Sequence, residues 1–295
     1  MLRLIARYVE WLHTRWPAGT VETLPEVRED GSTGVPGVYV AGDLTGIPLL
    51  KFALDSGARV VRTIAADPAL RSGSAPDVAP EGGAGATLDL VIVGAGIAGM
   101  AAAIEARRSG LTFEVLEATE PFSTLVNFPR AKPIYTYPRA MTPTGGLQVT
   151  ADVKEALVEE LLAQVARAGI RPRSERAERV ETARGGLVVH LAGGRSLAAR
   201  RVLIAIGRSG NFRKLGVPGE DLPKVYNRLH DPRDFAGKDI LIVGGGDSAL
   251  EAAIALAGCG GFVTIVYRGG AFSRARPENV EKLERLRRDP LADVA

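Results

Sequence analysis

Residues 90–99 read Leu90-Val91-Ile92-Val93-Gly94-Ala95-Gly96-Ile97-Ala98-Gly99, an apolar run that ends in three spaced glycines. Four consecutive apolar residues suit a strand buried on both faces. In such a turn the first glycine, Gly94, permits the tight bend. Gly96 lets the backbone approach a diphosphate, and Gly99 lets the following helix pack close to the strand. The helix N-terminus then offers free backbone N–H groups to negative charge, so Ile97 and Ala98 fall in the same candidate site. The spacing predicts a strand over Leu88–Val93, an alanine-rich helix from about Gly99 to Ser109, and a second strand over Thr112–Leu116. Glu117 follows that strand, at the distance where a carboxylate accepts from ribose hydroxyls.

The pattern restarts at Asp239–Val266. Ile240-Leu241-Ile242-Val243 leads into Gly244-Gly245-Gly246-Asp247-Ser248-Ala249, with Ala249 in the place of the third glycine. Gly244, Gly246, Asp247, Ser248 and Ala249 are candidate contacts to a second nucleotide. The strand Phe262–Val266 ends in Tyr267-Arg268, where a ribose-binding acid would otherwise stand. Arg268 and Arg274, with Arg276 behind them, suit a 2′-phosphate, because a guanidinium meets phosphate bidentately. NADP(H) is therefore expected in preference to NAD(H). Two such starts predict an α/β chain with two doubly wound nucleotide-binding domains.

Composition sets the bounds. The 295 residues suffice for two domains, and 46% hydrophobic with 24% charged residues is ordinary globular usage. A net charge of +3 is too small for a nucleic-acid footprint. The longest apolar stretch, Leu90–Ile104, is too short and glycine-rich for a membrane span. One cysteine, Cys259, excludes an intramolecular disulfide and a Cys-x-x-Cys pair. With no evident signal peptide, a cytoplasmic protein is expected. The three histidines, His13, His190 and His230, lack metal-ligand spacing.

Around the two glycine loops, Leu2, Ile5, Val9 and Leu12 predict an amphipathic N-terminal helix, residues 1–21. Strand-like runs fall at Val21–Val27 and Gly37–Ala41, and a helix at Pro48–Ile64, within an element spanning 22–66. Residues 67–87 shift to Ala, Pro, Gly and Ser and read as a linker. Residues 88–221 form the first nucleotide-binding domain, with a helix over Val153–Ala168 and strands at Leu187–Leu191 and Leu197–Ile206. Residues 222–295 form the second, ending in the polar helix Pro277–Arg288.

Several short motifs resemble the thioredoxin-reductase-like class of pyridine-nucleotide flavoproteins over roughly residues 22–280. Pro36-Gly37-Val38-Tyr39-Val40-Ala41-Gly42-Asp43 is similar to that class's second FAD motif, which implies FAD as cofactor and places Gly42 and Asp43 at its ribityl chain. The helix after Asp43 would aim its N-terminal dipole at the flavin's pyrimidine end. Ala205-Ile206-Gly207 resembles the Ala-Thr-Gly turn near the FAD phosphates, and Val217-Pro218-Gly219-Glu220-Asp221 the crossing to the second domain. Asn127-Phe128-Pro129 resembles the segment beside the isoalloxazine ring. Tyr135 and Tyr137 are either ring neighbours or core residues.

Three departures shape the reading. The aspartate motif precedes the first glycine loop instead of following the second domain. Either the chain is circularly permuted, or residues 1–66 end one module and 88–295 begin another. Residues 222–295 are too few for a complete doubly wound domain, so a truncated chain or fragment is expected. Finally, the class's Cys-x-x-Cys is absent, and Ala98 stands where bacillithiol-disulfide reductases often carry a loop cysteine. The resemblance then implies hydride transfer from NAD(P)H to FAD, with the flavin as the reactive centre and no internal redox disulfide. Electrons pass on to a small molecule or small redox protein: ferredoxin, a quinone or a small disulfide. A homodimer is open as the oligomeric state. The competing readings are a non-catalytic nucleotide-binding module and a flavin monooxygenase-like enzyme.

Overall fold

The computed structural model describes residues 24–71, 86–208, 215–227, 229 and 231–288. The expected amphipathic helix and most of the expected linker lie outside these residues. The chain divides into two compact units, with the boundary between Val225 and Tyr226.

The first unit is built on a seven-stranded sheet. Its strands are β1 (Val38–Val40), β2 (Leu88–Val93), β3 (Phe113–Glu117), β4 (Arg173–Ser174), β5 (Ala177–Ala183), β6 (Gly186–Leu191) and β7 (Ser196–Ile204). They run in the order β4-β3-β2-β7-β6-β5, and β1 pairs with β7. The β4-β3-β2-β7 pairs and the β1–β7 pair are parallel, whereas β5, β6 and the first half of β7 form an antiparallel meander. β1 thus takes up the half of the β7 edge that β6 leaves: β6 pairs with residues 196–199 and β1 with residues 202–204.

The alternation along β2 explains its unbroken apolar run. Leu90 and Ile92 join the core formed with the helices, while Val91 and Val93 join a second core with Leu187, Val189 and Leu191 of the meander. Both faces are covered, so no polar residue is tolerated between them. The helices are α1 (Leu50–Ala66), the short α2 (Pro68–Arg71), α3 (Ile97–Arg108), α4 (Ser123–Val126) and α5 (Lys154–Arg167). α1 and α3 pack against each other through Leu54, Val61 and Ile64 on one side and Met100, Ala101 and Ile104 on the other.

Two expectations are corrected, and one element is new. Residues 24–27, the described part of the expected strand Val21–Val27, are not a strand and join no sheet. Asp67–Leu70 are not linker: they are packed and anchored. Arg201 pairs with Asp67, Arg200 donates to the Leu70 carbonyl at 2.9 Å, and Leu70 is buried. β5 is an element the sequence reading missed. Glu178, Arg179 and Glu181 leave it no apolar alternation, since its outer edge faces water.

The second unit holds a parallel pair, β8 (Asp239–Val243) and β9 (Phe262–Val266), with α6 (Asp247–Gly258) between them and α7 (Pro277–Arg288) after them. Leu250, Ala253, Leu256, Val263 and Leu283 form its core. Among the described residues the other face of the pair is bare, and Leu241 and Val243 are 63% and 50% exposed. Parallel strands ordinarily have both faces covered. The fold class is thus α/β with two βαβ nucleotide-binding arrangements, the second reduced to two strands in what is described.

The α1–α3 contact leaves no room for a side chain at Gly57, where an added Cβ would lie 2.1 Å from the Ala98 carbonyl oxygen. Because that neighbour is backbone, Gly57→Ala forces the helices apart. The expected cost is about 1–3 kcal/mol, read as a lower urea midpoint for the first unit.

Candidate functional site

Three strand ends share one edge of the first sheet. Val93 is in register with Ile204, and Ile204 with Val40. The loops that follow (residues 41–46, 94–97 and 205–208) therefore leave the sheet side by side at its carboxyl end, where ligands bind in open α/β sheets. Backbone bonds lock them there: Ala205 N donates to Val93 O at 2.8 Å and Ala41 N to Ile204 O at 3.1 Å.

The glycines separate into two roles. Gly94 has φ +105°, and a Cβ there would lie 2.5 Å from Ala205 O; at Gly99 it would lie 1.8 Å from Gly94 O. These two are demanded by the protein's own packing. Gly96, by contrast, faces open space, with no atom within 4 Å of its missing Cβ. It is also the N-cap of α3, and no side chain caps it. The first N–H groups of that helix are left for an anion. Ile97 packs against the core, and the buried Ala98 abuts Gly42 and Gly57, so both contribute through backbone alone.

Glu117 is drawn into the loop. Its Oε2 accepts from Ala95 N at 2.8 Å, and its Oε1 accepts from Thr119 N and Oγ1 at 2.9 and 3.0 Å. It fixes the turn, and Oε2, which accepts one bond, keeps a second acceptor site. Gly42 has φ +79°, and its N–H donates to Ser56 Oγ at 3.0 Å, which aims the next residue, Asp43. Asp43 is half-buried, and its carboxylate accepts no hydrogen bond among the described residues. Burial pushes its pKa above the ordinary aspartate value, against the pull of the Arg208 charge. A desolvated carboxylate without a partner is costly unless something else fills that role.

The remaining residues of the first site are more spread. Asn127 caps α4, donating from Nδ2 to Ser123 O at 2.7 Å. Tyr135 and Tyr137 are exposed, with ring centroids 6.3 Å apart, and so are not core residues. Gly207 has φ +63° and open space before it. Sequence reasoning missed Lys51, which is buried. Its Nζ donates to the Pro138 and Arg139 carbonyls at 3.0 and 3.3 Å, tying their segment to α1. A lysine inside the apolar helical run was the one available signal.

In the second unit Gly244 has φ +144°, and Gly246 faces open space. Ala249 fits in place of a third glycine, since a Cβ at Gly244 would meet its methyl at 3.4 Å, an ordinary contact. Gly245 lies under Tyr267, whose ring stacks on Phe272 at 5.6 Å. Asp247 is committed elsewhere: its Oδ1 accepts from Arg276 N and Asn279 Nδ2, both at 2.8 Å, at the start of α7. It positions that helix behind the loop. Ser248, Arg268 and Arg274 are exposed, and neither arginine makes an ion pair or hydrogen bond among the described residues.

Residues 91–294 match the pyridine nucleotide-disulphide oxidoreductase family. The chain belongs to that family. It is 32% identical over 197 residues to a ferredoxin–NADP reductase of Ignicoccus hospitalis, covering 67% of this chain and 61% of that protein. It is 26% identical to a bacilliredoxin reductase of Bacillus subtilis, with 62% and 58% covered. A solved bacillithiol disulfide reductase from Staphylococcus aureus superposes with a TM-score of 0.62 at 23% identity, over 71% of this chain and 66% of that one. Thioredoxin reductase from T. acidophilum gives 0.52 at 22%, with 68% and 62% covered. These likenesses establish the thioredoxin-reductase-like fold. The chain spans about three-fifths of the length of the curated relatives it matches.

The raised Asp43 carboxyl gives a signed pH effect. A folded-state pKa above the unfolded value contributes stability below the ordinary aspartate range, and that contribution is lost as pH rises through the raised value. Asp43→Asn removes this loss. Thermal melts of the flavin-free protein from about pH 3 to 7 should show the variant gaining on the wild type as pH rises. A difference that shrinks with pH would contradict the burial of this group.

Proposed function

We propose that the first unit binds FAD, that the second binds NADP(H) in preference to NAD(H), and that the protein is a flavoprotein reductase. Hydride would come from NADPH and electrons would leave to an external acceptor without an internal disulfide. One observation carries the reading. The open Gly96, the uncapped start of α3 and the half-buried Asp43 carboxylate, which accepts no hydrogen bond among the described residues, belong to loops that leave one sheet edge together. An anion acceptor and a hydroxyl acceptor placed this way fit a diphosphate joined to a polyol.

FAD, when bound, supplies the two-electron chemistry that this chain's side chains lack. The chain's own contribution is placement. Gly94, Gly96 and Gly99 with the N–H groups of Ile97 and Ala98 would hold the diphosphate, aided by Gly207. Glu117 would take a ribose hydroxyl while keeping the turn closed. Asp43 and Gly42 would hold the ribityl chain, and Asn127 would stand beside the ring. In the second unit Gly244, Gly246, Ser248 and Ala249 would receive the second diphosphate. Arg268 and Arg274 would meet the 2′-phosphate, and Asp247 would act through α7.

Cys259 is the only cysteine of the 295 residues, so no disulfide within them relays electrons to the acceptor. Ferredoxin is the favoured acceptor, because several relatives are named ferredoxin–NADP reductases; a quinone or a small disulfide remains in the same chemical class of use. No helix among the described residues is long and apolar enough to cross a membrane, and a cytoplasmic location fits an unpaired thiol. The non-catalytic reading draws on the β8–β9 face, which is bare among the described residues.

Anaerobic titration with NADPH, followed in the visible spectrum, tests the proposal. The purified protein should show flavin absorption bands that NADPH bleaches. Bands that NADPH leaves intact would move the account to the non-catalytic reading, and a protein that cannot take up FAD would end the flavoenzyme reading.

A further inference from the structure

We propose that Arg208 is the cation that neutralises the FAD diphosphate in the first unit, a role in cofactor binding that rests on the FAD reading above. The loops at the shared sheet edge, residues 41–46, 94–99, 117–120 and 205–208, carry Asp43, Glu117 and Glu120. Arg208 is their only lysine or arginine. The first turn of α3 contributes no charged side chain, only backbone N–H groups. A diphosphate arriving there adds negative charge to an edge that is already acidic. Partial charges at one helix end offset this weakly compared with a full guanidinium charge.

Geometry puts Arg208 in the right place. β7 ends at Ile204, in register with Val93, and Ala205 N is bonded to Val93 O at 2.8 Å. The next residues pass directly against the glycine turn, where a Cβ on Gly94 would lie 2.5 Å from Ala205 O and 3.1 Å from Ile206 Cα. Gly207 then turns the chain with φ +63° and nothing in front of it. Arg208, the residue after this turn, is half-buried. It stands close enough to Asp43, on the neighbouring β1 loop, for its charge to oppose the effect of burial on that carboxyl. A guanidinium that follows the turn packed against Gly94, and whose charge reaches Asp43, is placed to bind phosphate oxygens bidentately.

The test separates phosphate recognition from loop folding by comparing ligands with and without phosphate. Binding of FAD and of riboflavin to the flavin-free protein is measured by fluorescence quenching, with ADP and adenosine as competing ligands for a second pair. Arg208→Gln should weaken FAD and ADP by about 10- to 100-fold, leaving riboflavin and adenosine unchanged. Arg208→Lys, which keeps a point charge without the planar fork, should fall between. Equal weakening of all four ligands would show that Arg208 only shapes its turn, and unchanged FAD binding would show that it makes no contact with the diphosphate; either result overturns the inference. A wild-type protein that binds neither flavin overturns the FAD reading and this inference with it.

Discussion

The Ala98 carbonyl oxygen approaches the Cα of Gly57 so closely that no side chain fits between them. This contact joins two parts of the chain that are distant in sequence: α1, which follows the Asp43 loop, and α3, which starts at the first glycine turn. Gly42 meets the same residue, because a Cβ there would lie 2.9 Å from the Ala98 methyl. One small residue is thus the point where the Asp43 loop, its helix and the glycine turn converge. Its size sets how near a carboxylate and a helix N-terminus stand to one another.

That convergence bears on the order of the chain. Residues 38–40 come before the glycine loop in sequence, yet in space they lie beside β7, parallel to it and in register with the end of β2. The strand, the Asp43 turn and α1 belong to the same compact unit as the glycine loop. The family match runs over residues 91–294, from the strand of the glycine loop onward. Sheet edges are indifferent to the order in which the chain supplies their strands, so β1 completes the sheet although it precedes the glycine loop.

Much of this was legible in the sequence for a specific reason. Glycines at 94, 96 and 99 have few other uses at that spacing after an apolar strand, so strand, turn and helix could be read together. Gly42-Asp43 was legible as a motif after a short β-branched run. Side chains whose partners are remote in sequence were less legible. Asp247 sits in a glycine loop yet bonds to Arg276 and Asn279. Lys51 reaches carbonyls at 138 and 139. Arg208 follows a turn whose neighbours only the strand register reveals. β5 was hidden because its exposed positions are charged and its pairing partner, β6, carries the apolar signal.

The central claim is that β1 and the glycine-loop strand form one cooperative sheet around a shared crevice. Native-state hydrogen exchange of two amides tests it directly: Ala41 N, bonded to Ile204 O, and Ala205 N, bonded to Val93 O. The account predicts that both exchange only through unfolding of the whole unit, with the same opening free energy and the same denaturant dependence. Exchange of Ala41 through a separate, low-energy opening while Ala205 stays protected would contradict it.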